Sequence, residues 1–361
     1  MEIWLKNTPV LLIEPDGTCR ILDFDRLPFG LRREKLFYPD FYEWASNRSL
    51  SIGRSHAKEI LNAFRLSQTS RFEVCMACRG LSLQDAYWIR QADDLTRWED
   101  VSLFTHPPSL YIAGISLSGD ASLYPLGVHR PSPVHTPELT TLGVNAKGWF
   151  REDGIHYLYK IGKNELAAAR ILQALDFPHL TYTYVDENAR EKYLTPARRD
   201  WLRSTGEELV RSALFTGPDR CMVTFEEFRT FCDHYGLNAY EQAVKIDEKA
   251  WLQMQVADYI LNNSDRHEQN WGFFMDPDTG KISGYCPLFD HDRSFSMQEG
   301  LLSQTTQDYI TLEAAGMAAQ RQLKADMGPL LEMSCPAFLD EQRWEAVLNR
   351  CRKLDLLSHS H

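Results

Sequence analysis

The chain has 361 residues, with 39 Lys and Arg against 50 Asp and Glu, a formal charge of −11 at pH 7. That surplus of acid excludes a nucleic-acid binder that works through a broad cationic face, because such proteins gain affinity by neutralising phosphates and releasing counterions. At 43% hydrophobic and 25% charged the composition is that of a globular protein, and the length predicts two domains that each own a core.

From the N-terminus, no basic segment leads into an apolar one and no apolar run approaches the length of a membrane span. A cytoplasmic protein with no membrane partner is therefore expected. Residues 10–14 and 19–24 read as strands about a Pro15-Asp16-Gly17 turn. Residues 55–64 carry Ala57, Ile60, Leu61 and Phe64 at helical spacing, and a second short helix is predicted from about Ser82 across 85–89. Cys75 and Cys78 form a lone C-x-x-C without a second ligand pair at zinc spacing, so they and the six other cysteines read as reduced thiols.

Residues 107–137 hold prolines at 107, 108, 125, 131, 133 and 137 among Ser, Gly and His, which predicts a connection with little regular structure and a domain boundary. A loop around Gly143–Gly148 follows, then a strand, a turn and the alternating strand at 157–161. A helix at 164–175 has Leu166, Ala167, Ile171 and Ala174 on one stripe. Helices are predicted at 196–215, after the capping box Thr224-Phe225-Glu226-Glu227, at 248–261, and from 308 onward with breaks at Gly328-Pro329 and Cys335-Pro336. The expected domains are an accessory segment at 1–115, a β-rich lobe at 116–220 and a helical lobe at 221–361.

Chemistry concentrates where the helix at 248–261 runs into Asn262-Asn263-Ser264-Asp265-Arg266-His267-Glu268-Gln269-Asn270. Asn270 falls five residues after Asp265, the spacing of a kinase catalytic loop, in which the Asp receives the substrate hydroxyl and the Asn ligates magnesium. A Pro277-Asp278-Thr279-Gly280 turn then predicts a hairpin leading to Phe289-Asp290-His291-Asp292. Asp290 offers the hard oxygen that magnesium between phosphates requires. Lys160 in the alternating strand precedes Glu165 at the helix start, matching by type and order the strand lysine and helix glutamate that handle nucleotide phosphates. The Gly143 loop is placed to lay N–H groups over phosphates, with Lys147 as a mobile positive charge.

Asn-x-Asp-Arg-His-x-x-Asn-x-Gly-Phe followed by Phe-Asp-x-x-x-Ser-Phe resembles the HipA-like serine/threonine kinases. Thr136-Pro137-Glu138-Leu139-Thr140-Thr141 with Gly143 and Lys147 resembles that family's phosphate loop. Leu83-Gln84-Asp85-Ala86-Tyr87-Trp88-Ile89 and Trp98-Glu99-Asp100-Val101 resemble pieces of its N-terminal region, so the likeness spans roughly residues 80 to 300. The resemblance implies an α+β, bilobal protein-kinase-like fold with a β-rich N-lobe, a helical C-lobe and a small mixed N-terminal domain. It implies ATP and Mg2+ as cofactors, Asp265 as catalytic base, Asn270 and Asp290 as metal ligands and Lys160 as phosphate-binding lysine. His267 takes the place where many protein kinases keep a lysine near the transferred phosphate. The implied partners are a protein bearing a Ser or Thr hydroxyl and an antitoxin or regulatory protein, with no direct nucleic acid. Thr140 and Thr141 are the hydroxyls that fall where the family autophosphorylates. The same loop also occurs in lipid and small-molecule kinases, and a catalytically silent nucleotide-binding module is a third reading. G-x-G-x-x-G and Ala-Pro-Glu are missing, and Ser264 stands before Asp265 in place of the arginine of H-R-D.

Overall fold

A computed structural model describes residues 1–120, 122–124 and 131–358, so Pro125 of the proline-rich stretch lies outside the described residues. The chain divides into two compact units: Met1–Ile161, Tyr184–Met222 and Met275–Lys281 form one, and Gly162–Thr183, Val223–Phe274 and Ile282–His361 the other.

The first unit begins with β1 (Glu2–Leu5), β2 (Thr8–Ile13) and β3 (Cys19–Ile21). Gly17 at φ +85° and Asp16, whose Oδ1 accepts from the Thr18 N–H at 2.9 Å, make the turn that pairs Ile13 with Cys19. Three helices follow, α1 (Tyr38–Asn47), α2 (Ala57–Phe64) and α3 (Arg71–Ala77), and then β4 (Tyr87–Arg90), which completes an antiparallel sheet in the order β3-β2-β1-β4. The helix predicted across 85–89 is thus a strand. Ala86, Tyr87, Trp88 and Ile89 are all buried, a continuous apolar run with no helical period, and β1 supplies the partner that sets Trp88 opposite Trp4.

After α4 (Trp98–Val101), the proline-rich stretch contains a helix that the sequence reading lacked, α5 (Leu110–Ser118). The Ser109 hydroxyl accepts from the Ile112 N–H, and Gly119 closes the helix at φ +83°. Ile112, Ala113, Gly114, Ile115, Ser116 and Leu117 are buried on every side, so no amphipathic stripe marks it. Ile112 and Ile115 pack with Ile60, Leu61, Val74 and Cys78 of the N-terminal helices. Ala113 and Leu117 pack with Phe150, Tyr159 and Leu209 of the next sheet. One helix therefore belongs to both hydrophobic clusters.

That sheet has the order β5-β6-β8-β7, from β5 (Lys147–Glu152), β6 (Ile155–Ile161), β7 (Thr183–Tyr184) and β8 (Leu209–Ala213). Lys160 of β6 is in register with Lys147 on one side and Val210 on the other. The short α7 (Glu187–Arg190) and α8 (Pro196–Thr205) precede β8. The single helix predicted over 196–215 stops at Gly206, which takes φ +64°, and residues 209–213 join the sheet beside β6.

The second unit contributes α6 (Asn164–Ala174) and the helices α9 (Phe225–His234), α10 (Ala239–Ile246), α11 (Glu248–Leu261), α12 (Leu312–Leu323), α13 (Gly328–Leu331) and α14 (Glu341–Ser358); a three-stranded sheet has the order β11-β10-β9, from β9 (Cys221–Thr224), β10 (Gly272–Asp276) and β11 (Lys281–Tyr285). The Thr224–Glu227 capping box opens α9 as its sequence predicts. Every residue of α11 from Leu252 to Leu261 is buried, and α12 packs along it. No described helix is long and apolar enough to cross a membrane.

Candidate active site

The buried helix α11 ends at Asn262, whose φ of 45° is the left-handed conformation that Asn tolerates. Its side-chain amide donates to the Ser296 and Gln298 carbonyls, both at 2.8 Å, tying the helix end to the segment that follows Asp290. One turn earlier, Asp258 is paired with Arg266, Nη2 to Oδ1 at 3.1 Å, and each side chain is only 1% exposed. Two charges so far from water are tolerated only when both are fully hydrogen-bonded. Arg266 meets that condition by donating from Nη1 to the carbonyls of Asn270 at 2.9 Å and Phe289 at 2.6 Å. One guanidinium therefore holds the end of the Asp265–Asn270 loop and the residue before Asp290 together.

Within the loop, the Asp265 N–H donates to Asn263 Oδ1 at 3.1 Å, and the Asn270 side-chain amide donates back to the Asp265 carbonyl at 2.8 Å. Asn270 is buried, whereas the Asp265 side chain is 35% exposed, with Arg293 Nε 3.7 Å from its Oδ2. The backbone is fixed from inside while the carboxylate stays available. His267 is exposed, and its Nδ1 accepts from the Gln269 N–H at 3.3 Å.

Opposite this loop in the same unit, the first turn of α6 faces the Asp290 segment. Glu165, fully buried, accepts from the His291 N–H at 3.0 Å. The Asn164 amide donates to the carbonyls of Asp292 at 2.8 Å and Ser294 at 3.2 Å. Asp290 takes φ +58°. The result gathers Glu165, Asp290 and Asp292, with one carboxylate oxygen of each within 4.8 Å of those of the other two. Carboxylates at that spacing repel when ionised, and a divalent cation with a preference for hard oxygen relieves the repulsion. This donor set fits magnesium. The structure thus brings the predicted Glu165 and Asp290 into one cluster, together with Asp292, which the sequence alone offers equally as a metal ligand or as part of a surface turn. Gly162 lies against that cluster, and a Cβ there would collide with Asp292 Oδ1.

In the first unit, Lys160 is buried on β6. Gly143 takes φ +89°, and a Cβ on it would collide with the Lys147 ammonium. Lys147 is itself buried, and its Nζ donates to the Leu142 carbonyl at 3.0 Å. It is a strut across its own loop, not the mobile charge that the sequence suggests. The Thr140 hydroxyl donates to the Leu81 carbonyl at 2.7 Å, and the Thr141 hydroxyl accepts from the Trp149 indole at 2.9 Å. Glu138 is fully buried; its Oε1 accepts from the Trp149 N–H at 2.9 Å, its Oε2 has no hydrogen-bond partner, and burial pushes its carboxyl up to about 7.

Sequence reasoning missed Arg266 and its partner Asp258. The available signal was an Arg in the loop shortly after an Asp on the largely apolar second half of the helix, since each needs the other to be buried.

No family model matches this sequence, and no curated protein matches it. Among solved structures, the Shewanella oneidensis MR-1 toxin–antitoxin complex of HipA, HipB and operator DNA contains a chain that aligns with all of this one and 99% of its own length, at TM-score 0.56 and 13% identity. The Helicobacter pylori proinflammatory kinase CtkA aligns over 59% of this chain and 92% of its own, at TM-score 0.41 and 13% identity. The α+β fold is HipA-like, as the sequence motifs imply.

Proposed function

We propose that the protein is a Mg2+- and ATP-dependent phosphotransferase of the HipA-like type, acting on a Ser or Thr hydroxyl of a protein. The observation that carries this reading is the Arg266 bracket, which sets the Asp265–Asn270 loop beside the Asp290 segment with a cluster of three acids attached. Asp290, Asp292 and Glu165, together with Asn270, would hold magnesium, and the ion when bound supplies positive charge against the nucleotide phosphates. Asp265 accepts the proton of the acceptor hydroxyl, a role that suits a carboxylate with a rigid backbone and an open side chain. Arg293 screens that carboxylate until an acceptor arrives. Lys160 and the Gly143 loop bind the phosphates, and His267 donates toward the transferred group.

The neighbour's complex with HipB and operator DNA supports an antitoxin-type protein partner. Self-phosphorylation falls on Thr141, because the Thr140 side chain is buried. The test is incubation of the full chain with labelled ATP and magnesium, alone and with lysate, wild type beside Asp265→Ala. Label on protein that disappears in the variant supports the reading. Label in the lipid fraction replaces it with a lipid kinase, and equal labelling by Asp265→Ala overturns the assignment of the base.

A further inference from the structure

The N-terminal segment contributes a residue whose bonds converge on the Gly143 loop. Arg54, just before α2, is 3% exposed. Its Nη1 donates to the carbonyls of Glu138 at 2.9 Å and Thr141 at 3.1 Å, and its Nη2 donates to the Ser116 hydroxyl and the Lys147 carbonyl, both at 2.6 Å. Thr141 and Lys147 are the two ends of the loop. A planar guanidinium presents its N–H groups at fixed angles, so a single side chain sets the distance between those ends. Two further ties come from the same stretch: the Leu50 N–H donates to the Leu139 carbonyl and the Ser55 N–H to the Val144 carbonyl, each at 2.8 Å.

These bonds have a common direction. The loop's carbonyls at 138, 139, 141, 144 and 147 turn toward residues 50–55, and that of Leu142 toward Lys147. Among the described residues the N–H groups of Leu142, Gly143 and Val144 donate to no protein acceptor. A run of such N–H groups on a loop containing a glycine with positive φ is the pattern that receives an anion. Burial lowers Arg54 only to about 10, so it remains a cation at neutral pH, and each bond it makes is charge-assisted.

We propose that Arg54 is a positioning residue for nucleotide binding: it holds the carbonyls of the Gly143 loop inward so that the loop's N–H groups face the ATP phosphates. This gives the N-terminal segment a direct part in the site, and it rests on the Mg2+–ATP reading above. The test compares wild type, Arg54→Ala and Arg54→Lys as full chains, measuring binding of the fluorescent analogue mant-ATP with magnesium and the thermal unfolding of each protein. A loop displaced by an ångström weakens a phosphate site by about tenfold or more, so Arg54→Ala should raise the Kd by at least about that factor. Added methylguanidinium should recover most of the loss by refilling the cavity, which a general loss of stability would not allow. Arg54→Lys should stay weakened, because one ammonium cannot span both ends. An Arg54→Ala protein that unfolds cooperatively and binds mant-ATP as wild type does overturns the proposal. Should Arg54→Ala fail to fold, Arg54→Lys takes its place as the deciding variant, and a folded Arg54→Lys protein with an unchanged Kd overturns the proposal equally. Failure of wild type itself to bind mant-ATP with magnesium overturns the nucleotide reading and this proposal together, whereas wild-type binding with insensitive variants removes this proposal alone.

Discussion

Replacing Glu138 with Gln removes an ionisable carboxyl from a site with no access to water. Glu138 is 0% exposed, one of its oxygens lacks a partner, and the Arg54 guanidinium only partly offsets the effect of burial on it. In the unfolded chain the carboxyl titrates near its ordinary 4.5; in the fold burial raises it to about 7. Below the lower value it is neutral in both states. As pH rises from 4.5 to 7 the unfolded chain releases the proton first, so native stability falls, and above 7 the loss is complete. At roughly 1.4 kcal/mol for each pH unit, the difference amounts to about 3 kcal/mol. Glutamine keeps the acceptor for the Trp149 N–H and carries no proton equilibrium. Urea unfolding of both proteins should therefore show a stability difference that moves by about 3 kcal/mol in favour of Glu138→Gln between about pH 4 and pH 8. A gap that stays constant across that range would refute the reasoning, since every effect of the amide other than ionisation is independent of pH.

Two other substitutions probe the second unit. Asp258→Asn leaves Arg266 as an uncompensated buried charge, so it should lose about 3–5 kcal/mol in urea unfolding, much more than an exposed Asp→Asn change; a loss below about 1 kcal/mol would mean that the pair does not hold the loop. Gly162→Ala places a methyl against Asp292 and should weaken binding of manganese, followed by its electron paramagnetic resonance signal, about tenfold with little change in melting temperature. Unchanged manganese affinity would remove Asp292 from the metal site.

What the sequence made legible and what it hid differ in kind. The Asp265 and Asn270 spacing, the Thr224 capping box, the helix at 248–261 and the hairpin about Pro277–Gly280 are local patterns, in which every residue that fixes the geometry lies within a few positions of the others. The strand at 87–90 was misread because its partner β1 lies more than 80 residues away, and a wholly apolar run looks alike in both states. The helix α5 escaped because flanking prolines signal a loop and its buried surface has no polar side. Arg54 and Arg266 bind main-chain carbonyls, which every residue possesses, so no side-chain pattern records them. Within the site, Asp290 was legible from its chain context, whereas the gathering of Glu165 with Asp290 and Asp292 depends on how α6 meets a loop some 125 residues later.

The double membership of α5 bears on how such a chain can be divided or recombined. A cut in the proline-rich stretch resembles a cut between domains, yet on either side of it the fragment would lose half the neighbours of one apolar helix. A fragment starting after residue 118 would leave Phe150, Tyr159 and Leu209 with a bare face, and one ending before 110 would do the same to Ile60, Leu61 and Val74. Exchange of N-terminal segments between related chains is therefore workable only when α5 travels with the segment and its Ala113–Leu117 face already suits the recipient sheet. For this unit the length that can be inherited, expressed or swapped as one piece is set by a helix and not by the prolines around it.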